Sequence, residues 1–233
     1  MVMKRSFVLL LASLATAPVA TGQQDARPGL AVLPFENGGS FGRDREDYDA
    51  LRRGIAGILI GELSQNPALR LVDRAETQRI LDEQSLAASG RVDAGTAAKV
   101  GKLVGARYMV TGTFIDLYGE FRLDARIIDV ETGEILKVVR NDPALKDVHQ
   151  LYRIIQSVAQ RIAAETKLPA LPPTAKGMAA REVPTDALNL YSRALLYEDR
   201  GDKAKAIEYY TQALDKFPDF TEAREGLRKA RGS

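Results

Sequence analysis

Cysteine and tryptophan are absent from the 233 residues, and His149 is the single histidine. Without a thiol the chain can form no disulfide, no cysteine-based metal site and no cysteine nucleophile. A lone histidine leaves no histidine cluster for a metal or a general base. Long hydrophobic runs are also scarce. The apolar run at residues 7–17 falls short of the roughly 20 residues that a membrane-spanning helix needs. An excess of one charge is missing too. The net charge is +2, and the surface is not basic enough to neutralise a phosphate backbone, which excludes a nucleic-acid binder.

What stands at the N-terminus accounts for that small excess. Lys4 and Arg5 precede the apolar run, and Ala20 and Gly22 are small residues placed as a signal peptidase requires. The pattern predicts a secretory signal peptide over residues 1–22, cut after Gly22. A cut after Ala20 and retention as an anchor stay open. No cysteine follows, so a bacterial lipid anchor is not expected. Removing residues 1–22 takes away two positive charges and no negative ones, which brings the net charge of +2 to zero.

Past the signal, "LAVLPF" (residues 30–35) is a short apolar run ended by Pro34 and by Asn37-Gly38-Gly39, and reads as a buried strand. Leu51, Ile55, Ile58, Leu59 and Leu63 follow helical spacing and predict a helix over 48–64. "LRLVD" (69–73) predicts a second strand. Helices follow at 75–86 and after Asp93, a capping residue, with Gly105 at a helix-ending position. Residues 107–117, 120–130 and 134–140 alternate and predict a strand meander, with turns at Tyr118-Gly119 and Thr132-Gly133. A helix over 148–166 closes the unit.

The order β-α-β-α-α-β-β-β-α predicts an α/β domain, a mixed sheet covered by helices, over residues 23–167. The strand 120–127 puts Phe121, Leu123, Ala125 and Ile127 on one face and Glu120, Arg122, Asp124 and Arg126 on the other. That alternation suits a barrel wall between lumen and lipid as well as a sheet edge. Four amphipathic helices need an apolar surface, however, and this sheet supplies it. Membrane insertion is therefore disfavoured.

Residues 168–185 hold four of the ten prolines and lack periodicity, and read as a semi-extended linker. After it, residues 186–233 form a small all-α unit. Two helices break at Gly201-Asp202, carrying Leu190, Ala194 and Tyr197, then Ala206, Tyr210 and Ala213, and a further helix follows Pro218. The spacing resembles one tetratricopeptide repeat of about 34 residues. One repeat buries too little surface alone, so it must pack on the first domain, on another copy, or on a partner.

Catalytic chemistry is hard to place on this chain. Gly101-Lys102 lacks the glycine before it (Thr96) and the Ser or Thr after it (Leu103) of a phosphate-binding loop. Asp129 and Glu131 flank a turn and are assigned to it. No catalytic, metal-binding or cofactor-binding residue is proposed, and no enzyme activity is expected.

Four segments, "LAVLPFENGG", "LRLVDR", "VGKLVGARYMVTGTF" and "ARIIDVETGEIL", occur in the order found in the curli secretion component CsgG family and the related TolB N-terminal-like domains. The resemblance covers residues 29–166. It implies a domain that, ahead of tetratricopeptide repeats, serves exported or membrane-tethered proteins. CsgG is a pore-forming lipoprotein with long membrane-crossing hairpins, and this sequence has neither its lipid-bearing cysteine nor room for the hairpins. The resemblance further implies that Leu188, Tyr191, Leu195 and Glu198 line a partner groove. The expectation is a periplasmic, non-enzymatic adaptor or assembly factor that binds an envelope protein or peptide. Homo-oligomerisation stays open, and a curli-type outer-membrane secretion component is the alternative.

Overall fold

In the computed structural model the described residues are 25–40, 42, 44–84, 93–165, 168 and 181–232. The expected signal peptide and most of the expected linker lie outside them. The chain first forms β1 (Gly29–Val32), β2 (Glu36–Asn37) and α1 (Arg45–Ser64). It continues with β3 (Arg70–Leu71), α2 (Arg74–Glu83) and α3 (Ala94–Leu103). The meander follows as β4 (Tyr108–Leu117), β5 (Glu120–Asp129) and β6 (Ile135–Arg140). A 3-10 turn (Val148–Gln150) leads into α4 (Leu151–Glu165), then α5 (Thr185–Asp199), α6 (Lys203–Lys216) and α7 (Thr221–Arg231).

The sheet order is β3-β1-β4-β5-β6. β1 pairs in parallel with β3 and β4, and β4, β5 and β6 pair antiparallel. This is the mixed sheet the element order requires, because helical crossovers give parallel neighbours and tight turns give antiparallel ones. One strand is additional. Pro34 cannot donate to a ladder, so β1 stops at Val32; the chain then re-enters as β2 beside the far end of β4, with Glu36 opposite Thr113. The other departures are at boundaries: α1 starts at Arg45, before the expected residue 48, and the closing helix opens with the 3-10 turn. The expected end of the second helix, Leu86, lies outside the described residues.

Local chemistry sets the turns. Tyr118 and Gly119 both have positive φ, 55° and 96°, the geometry of a two-residue hairpin whose twist matches its strands. Asp93 caps α3 by accepting from the Thr96 amide at 2.7 Å, and Gly105 follows α3 at φ 64°.

Two cores lie on the two faces of the sheet. On one face Val32, Phe114, Phe121, Leu123, Ala125 and Ile127 meet α1 and α4. On the other, Leu33, Val72, Met109 and Ile128 meet α2 and α3 through Leu81, Val100 and Val104. The apolar row of β5 is therefore covered by helices. α2 and α3 leave the β6 side of the second face open, where Leu136 (40%) and Val138 (49%) are exposed.

Candidate functional site: the junction of sheet domain and helical repeat

The site begins with α1, which is apolar on two sides. Leu51, Ile55 and Leu59 are fully buried with the strands. The opposite side carries Gly54, Gly57 and Gly61. A mid-helix glycine costs about 1 kcal/mol relative to alanine, and three in one helix call for a reason. The reason is α5. A Cβ on Gly54 would fall 1.8 Å from Ser192 Oγ, one on Gly57 would fall 2.4 Å from the Tyr191 hydroxyl, and one on Gly61 would fall 2.6 Å from a Glu222 carboxylate oxygen. The stripe lets the repeat's first helix and α7 lie directly on the α1 backbone.

Ion pairs ring this contact. Asp199, at the end of α5, accepts from Arg53 Nε at 2.7 Å and from an Arg74 terminal nitrogen at 2.6 Å. All three side chains are largely buried. Burial opposes the Arg74 charge, but Asp199 and Glu198 outweigh it and hold the guanidinium's pKa above its ordinary value. At one end Arg193 pairs with Asp47, and the Tyr197 hydroxyl donates to Glu46 at 2.7 Å. At the other Lys229 pairs with Asp73 at 2.8 Å, and Arg181 bridges Glu62 and Glu222. The Tyr152 hydroxyl donates to Glu62 at 2.6 Å; burial, then that bond, pushes its pKa up.

The four groove positions fall at this junction. Leu188, Tyr191 and Leu195 are buried, and α1 occupies the surface they would offer. Glu198 accepts from the Tyr210 hydroxyl at 2.5 Å and pairs with Arg74. Three of the four, Tyr191, Leu195 and Glu198, also line a cavity of about 380 Å³ between α1, the start of α2, the repeat and α7. Of the three docking surfaces open to the repeat, the first domain is the one used. The sequence reading missed the receiving surface; the signal was the spacing Gly54, Gly57, Gly61 on a helix with a complete apolar face elsewhere.

Other singled-out residues have structural work. Asp129 Oδ1 accepts the Glu131 and Thr132 amides, and Arg107 binds both Asp129 and Glu131. His149 is exposed, and its carbonyl accepts from the Thr185 hydroxyl at 2.9 Å. Among the described residues, no cluster of acidic or histidine side chains is placed to hold a metal ion, and no helix is long and apolar enough to cross a membrane.

Among the described residues the chain thus joins a mixed α/β domain to a docked helical hairpin, and each is similar to a known family over part of the chain. Residues 16–122 match the family described as curli production assembly/transport component CsgG, and residues 187–220 match the tetratricopeptide repeat. The first match ends at Arg122, short of the "ARIIDVETGEIL" segment. A curated relative, "Putative adenylate cyclase 3" of Rhizobium meliloti (strain 1021), is 31% identical over 126 residues, covering 54% of this chain. The chain spans only 19% of that protein's length. Solved structures with a similar fold include the LpoB C-terminal domain from Escherichia coli, at 18% identity and a TM-score of 0.37, covering 48% of this chain and 79% of that one. TolB from Acinetobacter baumannii has 18% identity and a TM-score of 0.34, covering 59% of this chain and 28% of that one. Likeness of that degree carries no functional weight.

Proposed function

We propose that this protein is an exported, non-enzymatic adaptor of the bacterial cell envelope that acts by protein recognition. The observation that carries the reading is the docking of the repeat on α1, which turns two modules into one body while the β6 side of one sheet face stays open. On that face Leu136 and Val138 of the edge strand β6 stand beside Arg126 and Arg140. An exposed apolar patch rimmed by charge is the usual mark of a protein-binding surface, and an edge strand offers backbone groups as well. The N-terminal signal pattern supports delivery to the periplasm.

The rival is a secretion component that assembles into an outer-membrane pore, in keeping with the description of the CsgG family. The covering of Phe121, Leu123, Ala125 and Ile127 by α1 and α4 favours the adaptor. The reaction suggested by the cyclase relative's name is not carried over, because the shared segment is 19% of that protein.

The experiment is site-specific photocrosslinking in a two-membrane bacterium expressing the full chain, with the photoreactive residue at Val138 or, as a control, at Lys216. The expected result is a discrete adduct from Val138 only, in the periplasmic fraction. A chain that stays in the cytoplasm, or equal crosslinking from both positions, would overturn the proposal.

A further inference from the structure

The sheet ends at β6, the last strand of the order β3-β1-β4-β5-β6. One side of β6 pairs with β5, and among the described residues no strand pairs with the other. The Asn141 amide donates to the Leu123 carbonyl at 3.1 Å, one step beyond the Asp124–Arg140 pair. Backbone groups of successive residues in an antiparallel strand point to opposite sides, so Arg140 and Val138 turn theirs to the free edge. The Arg140 carbonyl is taken by Arg161 of α4 at 2.9 Å. The Arg140 amide and both groups of Val138 are left for an added strand.

The side chains set the sign of this edge. Val138 stands opposite Arg126, and Arg140 opposite Asp124. Asp124 binds Arg122 at 2.7 Å and Arg140 at 3.0 Å. Arg126, half-buried on the same face, has no hydrogen-bond or ion-pair partner among the described residues. Three arginines thus share one carboxylate. The other acidic residues stand apart from them: Glu36 lies across β4 opposite Thr113, Glu120 pairs with Lys146, and Glu134 precedes β6 in the turn. Lys137 and Arg161 add positive charge along the edge itself.

These charges decide between occupants. Two copies joined along β6 would set Lys137, Arg140 and Arg161 of one against those of the other, and charges so placed blunt a sheet edge against self-pairing. An acidic strand meets attraction at the same positions. Resting on the adaptor reading above, we propose that β6 takes an extended acidic segment of a partner protein as an added strand of the sheet. The segment pairs with the backbone of Val138 and the Arg140 amide, lays an apolar side chain on the exposed Leu136 and Val138, and turns a carboxylate to Arg126. Arg126 lies two strand spacings, about 10 Å, from the added strand, within the joint reach of an arginine and a glutamate.

The test is fluorescence anisotropy with the full mature chain, at low ionic strength, using three labelled, capped peptides: Thr-Val-Thr-Glu-Thr-Glu-Thr, the same pattern with lysine for glutamate, and the glutamate peptide N-methylated throughout, which cannot donate to a ladder. Only the first is expected to bind, more weakly as salt is added. Arg126→Gln removes no ion pair among the described residues and is expected to weaken binding about three- to fivefold, an ion pair of about 0.6–1 kcal/mol, with the unfolding midpoint recorded alongside. Absence of binding by the glutamate peptide, equal binding by the lysine peptide, retained binding after N-methylation, or unchanged affinity in Arg126→Gln would overturn the proposal. So would a dimer of the chain in sedimentation that Val138→Lys abolishes, which would assign the edge to a second copy. A discrete crosslink from Val138 in the cell would then leave the adaptor reading standing; its absence would sink both.

Discussion

Replacing Gly54 by alanine separates the docked repeat from a merely tethered one. In an exposed helix Gly→Ala stabilises by about 1 kcal/mol. Here the new Cβ would lie 1.8 Å from Ser192 Oγ and 2.8 Å from its Cβ. The serine cannot turn away cheaply, because its hydroxyl donates to the Leu188 carbonyl at 2.8 Å, a bond worth about 1 kcal/mol. Turning would not relieve the second contact. The helices must part, and overpacking of this kind costs about 1–3 kcal/mol. The propensity gain offsets only part of that, so Gly54→Ala is expected to destabilise by about 1–3 kcal/mol. Ser192→Gly removes both clashing atoms and leaves its Cα at 3.4 Å from the new Cβ, an ordinary contact. Alone it costs about 1–2 kcal/mol, about 0.5 in helix propensity and the rest in the lost bond to Leu188; combined with Gly54→Ala, whose propensity gain then counts in full, it is expected to return close to the wild-type stability. A urea-unfolding double-mutant cycle reads the coupling directly, expected at about 2 kcal/mol. Stabilisation by Gly54→Ala alone, or coupling within the roughly 0.5 kcal/mol of independent sites, would refute the reasoning.

Asp199→Ala leaves Arg53 and Arg74 buried and short of a partner. Breaking a buried pair costs about 3–5 kcal/mol, and the contacts remaining to Asp49 and Glu198 bring the expected loss to about 2–3 kcal/mol in denaturant unfolding. Asn141 accepts the buried Leu123 amide at 2.9 Å and donates to the Leu145 carbonyl at 2.6 Å; Asn141→Ala should cost about 1–3 kcal/mol, measured the same way. Burial raises the pKa of Tyr152, Tyr191 and Tyr210 above the ordinary 10.0. The unfolded chain therefore loses these protons first as pH rises, so this stabilisation is complete below pH 10 and is lost above it. Urea midpoints taken on either side of that pH should fall on the alkaline side, and Tyr152→Phe should reduce the drop. At the acid end burial opposes ionisation of Asp73, but the Lys229 hydrogen bond outweighs it and lowers the carboxyl below the ordinary 3.8. That contribution is present above pH 3.8 and is lost as pH falls through the folded-state value; Asp73→Asn should flatten the acid limb of the same profile.

Much of the fold was legible because it is written in local chemistry. The hairpin at Tyr118-Gly119, the Asp93 cap, the Gly105 stop and the break at Gly201 each depend on residues within one turn of one another. The apolar row of β5 was legible because a sheet strand repeats every two residues. Strand β2 was not, since two residues after a proline carry no period. The docking surface was hidden for another reason. Gly54, Gly57 and Gly61 add nothing to an apolar pattern, and Ser192, which explains Gly54, lies far away in sequence. The resemblance implied that Tyr191 and Leu195 face a partner; it could not say that α1 of the same chain fills that place, or that a cavity remains beside it.

The absence of cysteine makes the central claim, that the repeat docks on α1 of its own chain, open to a single direct measurement. In Gly54→Cys/Ser192→Cys the Cβ atoms stand 2.8 Å apart, and the helices need part by only about 1 Å to reach disulfide geometry. After mild oxidation, non-reducing electrophoresis and intact mass should show a monomer with one internal disulfide and no free thiol. Free thiols in the monomer, or disulfides only between chains, would contradict docking in cis.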